Sequence, residues 1–128
     1  MTNRRTFIAA TAAATTAMAA DAVKGSPEPK MSLNVVYPNQ EGSRFDLDYY
    51  RSTHIPMAMK VMKADSVELI EGVPNGTSPP PIVMIAQFRF ASPDALKAAL
   101  ANPAMADVRA DVAKFTGIRP AAMVGRTL

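Results

Sequence analysis

The segment FDLDYYRSTHIP, residues 45–56 of 128, carries the signals for the start of a helix and for a break within it. Asp46 is a favourable helix N-cap, so we expect a helix to begin near Leu47. Pro56 has no amide hydrogen and clashes with the preceding turn, so this helix should kink near Ile55. Such a kink would free backbone carbonyls and open space beside the neighbouring side chains.

The only histidine of the chain, His54, lies in this predicted helix. Tyr50 precedes it by four residues and therefore shares its face, which Met57 and Val61 should continue. Two interpretations are open. His54 is either a hydrogen-bonded core residue or a catalytic acid–base group, because imidazole exchanges protons near neutral pH. In the second case Tyr50 or Tyr49 would stabilise an oxyanion developing on an enolisable or phenolic substrate.

Three further side chains of this region are candidates for binding a substrate. Arg51 could neutralise a substrate carboxylate, with a solvated helix face as the alternative. Met57 could shape an apolar pocket, with plain core packing as the alternative. Asp46 could orient the phenol of Tyr50, or serve only as the helix cap. The chain has no cysteine nucleophile and no Gly-x-Ser-x-Gly motif, and we predict no metal site.

The first residues have the features of an export signal. Arg4 and Arg5 precede an alanine-rich apolar run that is too short to form a stable transmembrane helix. We therefore predict a twin-arginine-type signal peptide at residues 1–19. A flexible linker at residues 20–30 should follow. The mature protein would then be periplasmic or secreted, with no stable membrane insertion. Translation starting at Met31 would instead leave it cytoplasmic.

Length and charge exclude some classes of protein. A chain of 128 residues has room for one ordinary domain, expected at residues 31–128. The formal net charge is +3, but removal of the signal peptide leaves twelve basic against eleven acidic side chains. There is therefore no electrostatic case for nucleic-acid binding.

Hydrophobic periodicity predicts an α+β fold. The order strand, helix, strand, strand, helix, strand is the split βαβ pattern of a ferredoxin-like fold, a four-stranded antiparallel sheet with its helices on one face. Nothing in the chain would cover apolar side chains on the other face, so we predict a homodimer that packs there. The patterns place strands at residues 32–37, 66–73, 82–90 and 119–127, and helices at residues 47–64, 93–100 and 103–115.

Several short motifs lie between Met31 and Leu128: VYP at residues 36–38, FDLDYY at 45–50, HIP at 54–56, GVPNG at 72–76, PPP at 79–81 and FTGI at 115–118. Together with the element order, they resemble the EthD family of dimeric α+β barrel proteins. The resemblance implies a side-by-side dimer with a pocket between sheet and helices, lined by Tyr49, Tyr50 and His54. It also implies a role in the catabolism of ethers or aromatic compounds, or as an accessory to such pathways.

These observations leave two classes of function open. One is a small cofactor-independent oxidoreductase or isomerase that uses His54 as acid and base. The other is a non-catalytic exported module that binds a small apolar ligand. No Gly-x-Gly-x-x-Gly motif follows a strand, so no nicotinamide or flavin cofactor is expected. Haem, with His54 as axial ligand, is the alternative to having no cofactor.

Overall fold

The computed structural model describes residues 28–128. The signal peptide predicted at residues 1–19, and the linker up to residue 27, lie outside these residues. Within residues 28–128 no helix is both long and apolar enough to cross a lipid bilayer.

Four strands and three helical regions follow one another in the predicted order. The first helix, α1, is continuous over residues 47–62 but changes its hydrogen bonding twice. It has α-helical geometry at Leu47–Tyr49, π-helical geometry at Tyr50–His54 and α-helical geometry at Ile55–Met62. The other elements are β1 (Met31–Pro38), β2 (Ser66–Glu71), β3 (Ile82–Phe90), α2 (Pro93–Ala101), α3 (Met105–Asp111) with a 3-10 turn (Val112–Lys114), and β4 (Ala121–Arg126).

The sheet has the order β2-β3-β1-β4, and all its neighbouring strands are antiparallel. Helix α1 connects β1 to β2, and helices α2 and α3 connect β3 to β4. The two helical crossovers start from β1 and β3, which form the central pair of the sheet, and this is the split βαβ arrangement. The α+β, ferredoxin-like prediction is confirmed.

One face of the sheet forms the core. Strand β3 alternates strictly from Met84, with Met84, Ala86, Phe88 and Phe90 buried and the intervening side chains more exposed. Side chains from all three helices belong to the same buried cluster. The period-2 alternation thus directs one apolar surface towards the helices.

The centre of the opposite face is more polar than the sequence pattern suggested. Asn34 Nδ2 donates to Ser32 Oγ at 3.0 Å, and Gln87 Nε2 donates to Asn34 Oδ1 at 2.9 Å. The large apolar side chains Ile70 and Met123 lie exposed on the outer strands. This face therefore combines a hydrogen-bonded centre with apolar flanks, and the homodimer stays a prediction.

Helix α1 accommodates Pro56 by a change of helix type. The Ile55 amide donates to the Tyr50 carbonyl, five residues back, so the turn before the proline contains one extra residue. That extra residue shifts the phase of the helix, and the buried positions that follow are Ala58 and Met62. Met57 and Val61, predicted to continue the His54 face, lie half-buried beside these positions and pack against the core.

Gly72, directly after β2, provides a test of how tightly the sheet edge is packed. Its amide donates to the Val83 carbonyl at 3.0 Å, and a β-carbon at this position would overlap the carbonyl oxygen of Ile82. We expect Gly72→Ala to lower the free energy of unfolding by about 1–3 kcal/mol, because the backbones at Gly72 and Ile82 must move apart. Urea denaturation measures the change. Gly117→Ala is the control: its β-carbon would meet nothing within 4 Å, so an equal loss there would contradict the explanation.

Candidate functional site

The start of helix α1 is fixed by Asp46. Its Oδ1 accepts a hydrogen bond from the Tyr49 amide at 3.1 Å, and its own amide donates to the Phe115 carbonyl at 2.8 Å. The first bond is the N-cap that the sequence predicted. The second ties the start of α1 to the segment that follows α3, which brings Tyr49 close to Asp111.

Aromatic packing fixes Tyr50 and His54. Their rings stack with centroids 5.7 Å apart and an angle of 17° between planes. Phe115 packs against both rings, with its centroid 5.0 Å from Tyr50 and 4.6 Å from His54. Tyr37 and Phe45 complete the cluster around Tyr50 with edge-on contacts. The exposed fraction is 0% for Tyr50 and 4% for His54, so neither ring can turn freely.

Asp111, at the end of α3, is the partner of His54. Its Oδ2 lies 2.9 Å from His54 Nδ1, and its Oδ1 accepts a hydrogen bond from Tyr49 Oη at 2.7 Å. Lys114 Nζ lies 3.8 Å from Oδ1 at the solvent side. A carboxylate only accepts hydrogen bonds, so Nδ1 carries the proton in this pair. In a neutral ring, Nε2 is then left as the proton acceptor.

The environment of Asp111 keeps it ionised. Burial favours the neutral acid, but the hydrogen bonds from His54 and Tyr49, together with attraction to His54 and Lys114, outweigh it. The pKa of Asp111 is therefore lower than usual. The same hydrogen bond, supported by burial and by the charge of Asp111, raises the pKa of Tyr49. Tyr49 thus remains a donor to the carboxylate at neutral pH.

A cavity of about 250 Å³ lies between the sheet and the helices. Its walls are mostly apolar, with Leu33 and Phe88 from the sheet and Val108 from α3. Tyr50 and His54 both line it. Because Asp111 occupies Nδ1 of His54, Nε2 is the ring nitrogen that remains for a ligand in this cavity.

The hydroxyl of Tyr50 lacks a partner. Among residues 28–128, Tyr50 Oη is the one buried side-chain nitrogen or oxygen that makes no hydrogen bond. Burial raises the pKa of Tyr50, with a smaller contribution from Tyr37, so the phenol stays neutral and keeps its proton for donation. Burying an unpaired hydroxyl costs about 1–3 kcal/mol.

The structure brings together only some of the side chains that the sequence singled out. Tyr49 points to Asp111 and is not part of the cavity wall. Arg51 is exposed and lies beside a separate groove next to β2. Met57 is absent from the cavity wall because of the phase shift in α1, and Asp46 acts as the helix cap.

Two residues of the site were not predicted from the sequence. Asp111 follows Val108 by three residues and precedes Val112, so it lies in the apolar stripe of α3, where a carboxylate signals a buried partner. Arg109 lines the mouth of the cavity. In the described part of the chain, no three His, Cys, Asp or Glu side chains cluster closely enough to hold a metal ion.

The protein is thus a small α+β domain whose helices and sheet enclose an apolar cavity with an imidazole and a phenol in its wall. Comparisons with known proteins identify the family of this domain. The family model of the EthD domain matches residues 42–118. The chain belongs to the EthD domain family.

Two solved structures share the fold. An EthD-like protein from Ralstonia eutropha JMP134 is 27% identical with a TM-score of 0.70, over 77% of this chain and 92% of that one. An ethyl tert-butyl ether D (EthD) family protein from Bacillus halodurans C-125 is 17% identical with a TM-score of 0.62, over 77% of this chain and 99% of that one. At that identity the second shows the fold alone. No curated protein matches the chain significantly.

The buried carboxylate makes a testable contribution to stability. The folded-state pKa of Asp111 is lowered, so its contribution is complete above the ordinary value of about 3.9 and is lost as the pH falls through the folded-state value. We expect Asp111→Asn to lower the free energy of unfolding by about 1–3 kcal/mol at pH 7. The difference from wild type should shrink below about pH 4.

Urea denaturation from pH 3 to pH 8 measures this difference. Asp107→Asn, on the exposed surface of the same helix, is the control and should follow wild type throughout. A loss in Asp111→Asn that stays constant down to pH 3 would contradict the role of the ionised carboxylate.

Proposed function

We propose that this protein is a cofactor-independent acid–base enzyme for small apolar molecules that carry an enolisable or phenolic oxygen function. The observation that supports it best is the pairing of His54 with Tyr50 in the wall of one apolar cavity, with Nδ1 of His54 held by buried Asp111. This arrangement leaves a proton acceptor and a neutral proton donor for the same ligand.

Each side chain has one task in this proposal. His54 Nε2 removes a proton from a carbon next to a carbonyl group, and Tyr50 Oη donates a hydrogen bond to the enolate oxygen that forms. Asp111 stabilises the imidazolium and keeps the ring oriented. The proton then returns from Nε2 to carbon, at the same or another position. Tyr49 is a positioning residue, because it acts through Asp111.

This chemistry favours an isomerase over an oxidoreductase. Proton removal and return balance within one substrate and need no electron acceptor, whereas an oxidation would require a co-reactant. A substrate derived from an ether or an aromatic compound fits the apolar walls of the cavity, and family membership supports that class.

The alternative is an exported carrier of an apolar ligand, and the apolar lining of the cavity favours it as a second candidate. Haem is one such ligand, because Nε2 of His54 could serve as its axial ligand. A Soret band in the purified protein would identify this case.

Export through the twin-arginine route and homodimerisation by the open sheet face belong to both proposals. Size-exclusion chromatography with light scattering tests the dimer.

Proton transfer can be measured without knowing the natural substrate. In D₂O, the wild-type protein should accelerate deuterium uptake at the α-carbons of 2-indanone, followed by proton NMR. His54→Gln should reduce the acceleration by about 10²–10⁴-fold, because glutamine can bond Asp111 but cannot act as a base. Thr53→Ala, on the exposed side of the same turn, is the matched control.

Circular dichroism must show that His54→Gln remains folded. Equal rates of deuterium uptake in wild type and His54→Gln would contradict the catalytic proposal. Binding of 2-indanone without any acceleration of exchange would favour the carrier.

Tyr50→Phe should separate stability from activity. Removal of the unpaired hydroxyl should raise the free energy of unfolding by about 1 kcal/mol, because the buried oxygen has no partner to lose. The same change should slow exchange by about 10²–10³-fold, because the enolate loses its donor. Thermal melting and the exchange assay give the two readings. A variant that is less stable and fully active would contradict both parts.

A further inference from the structure

The cavity has a charged group at its mouth. Arg109, on helix α3, is the one Lys, Arg, Asp or Glu side chain that lines it within the described residues. It is exposed, as are Leu100, Ala121 and Ala122, which line the same opening. Tyr50 and His54, in contrast, lie buried in the wall. The cavity thus has a polar inner region, apolar walls and a cationic rim.

Arg109 is available for a ligand. Within residues 28–128 it forms no salt bridge and donates no side-chain hydrogen bond. The acidic residues nearest in sequence, Asp107 and Asp111, are two positions away on either side, a spacing at which helical side chains do not face each other. Asp111 is also occupied by His54 and Tyr49.

The two polar ends of the cavity restrict what fits between them. A ligand that gives an oxygen to Tyr50 and fills the apolar space would bring its other end to Arg109. We infer that Arg109 selects ligands in which an apolar body carries a carboxylate at the end that emerges from the cavity. This inference rests on the proposed function in that the cavity is taken as the ligand site.

Arginine suits this position for physical reasons. The guanidinium group is planar and offers two parallel N–H donors that match the two oxygens of a carboxylate. The apolar walls beside it exclude water on one side, which strengthens the attraction relative to that of a pair surrounded by solvent. Because the rim remains partly in water, we expect a preference for the anion of about five- to tenfold.

The inference assigns carboxylate binding to a different arginine from the one that the sequence suggested. Arg51 is on the same helix as His54, but it lies beside the groove formed by Leu47, Leu69 and Glu71, away from the cavity. A comparison of the two arginines therefore tests the structural argument directly.

The experiment compares two ligands of nearly equal shape, 3-phenylpropanoate and 3-phenylpropanamide, by isothermal titration calorimetry. Wild type should bind the carboxylate about five- to tenfold more tightly than the amide. Arg109→Gln should remove that preference while leaving the affinity for the amide unchanged, and Arg109→Lys should retain part of it. Arg119→Gln, an exposed arginine outside the cavity wall, controls for net charge and should retain it fully.

Several results would overturn the inference: no binding of either ligand, equal affinity of wild type for the two, a preference that survives Arg109→Gln, or one that Arg51→Gln removes. Loss of both ligands in Arg109→Gln would also overturn it, because it would indicate a structural role. Calorimetry needs no turnover. If deuterium exchange does not depend on His54 while the preference for the carboxylate depends on Arg109, only the catalytic proposal is rejected. If exchange depends on His54 while the preference does not depend on Arg109, only this inference is rejected.

Discussion

Asp111 brings a negative charge into the contact between helices α1 and α3. A buried carboxylate is tolerated only when hydrogen bonds replace its hydration, and here Tyr49 and His54 donate one bond to each oxygen. Those bonds fix the distance between the two helices and the orientation of the imidazole at the same time. Removing one partner would leave an unpaired polar group inside the protein, so the three side chains form a single unit.

The π-helical turn at Tyr50–His54 follows directly on Tyr49 and ends at His54, so it connects the two partners of Asp111. Pro56 cannot donate a hydrogen bond, and the wider turn before it absorbs one extra residue. Neighbouring positions 49 and 50 face two different surroundings: Tyr49 donates to the carboxylate of Asp111, while Tyr50 packs into the aromatic cluster with Phe115. Consecutive helix positions thus place one phenol on the carboxylate between the helices and the other in the wall of the cavity.

The fold could be predicted from the sequence because its signals are local. Alternation in β3, the cap at Asp46 and the apolar stripe of α3 each depend on residues close together in the chain. The site was predictable only in part, since Tyr50 and His54 lie within one turn, whereas Asp111 is 57 residues from His54. Met57 packs against the core and outside the cavity wall, and a periodicity of 3.6 residues per turn could not anticipate the π-helical turn that precedes it. Arg51 and Arg109 look alike in sequence, and only the packing of their helices distinguishes the groove from the cavity.

The unpaired hydroxyl of Tyr50 has a practical consequence. Because this buried donor has no acceptor, a compound that supplied one would remove the cost of burying the hydroxyl unpaired. A compound that supplies the missing acceptor stabilises the folded state in proportion to its occupancy, so the melting temperature reports the chemical fit. Differential scanning fluorimetry over a library of ketones, phenols and aryl carboxylates can therefore rank natural ligand classes before any reaction has been assigned.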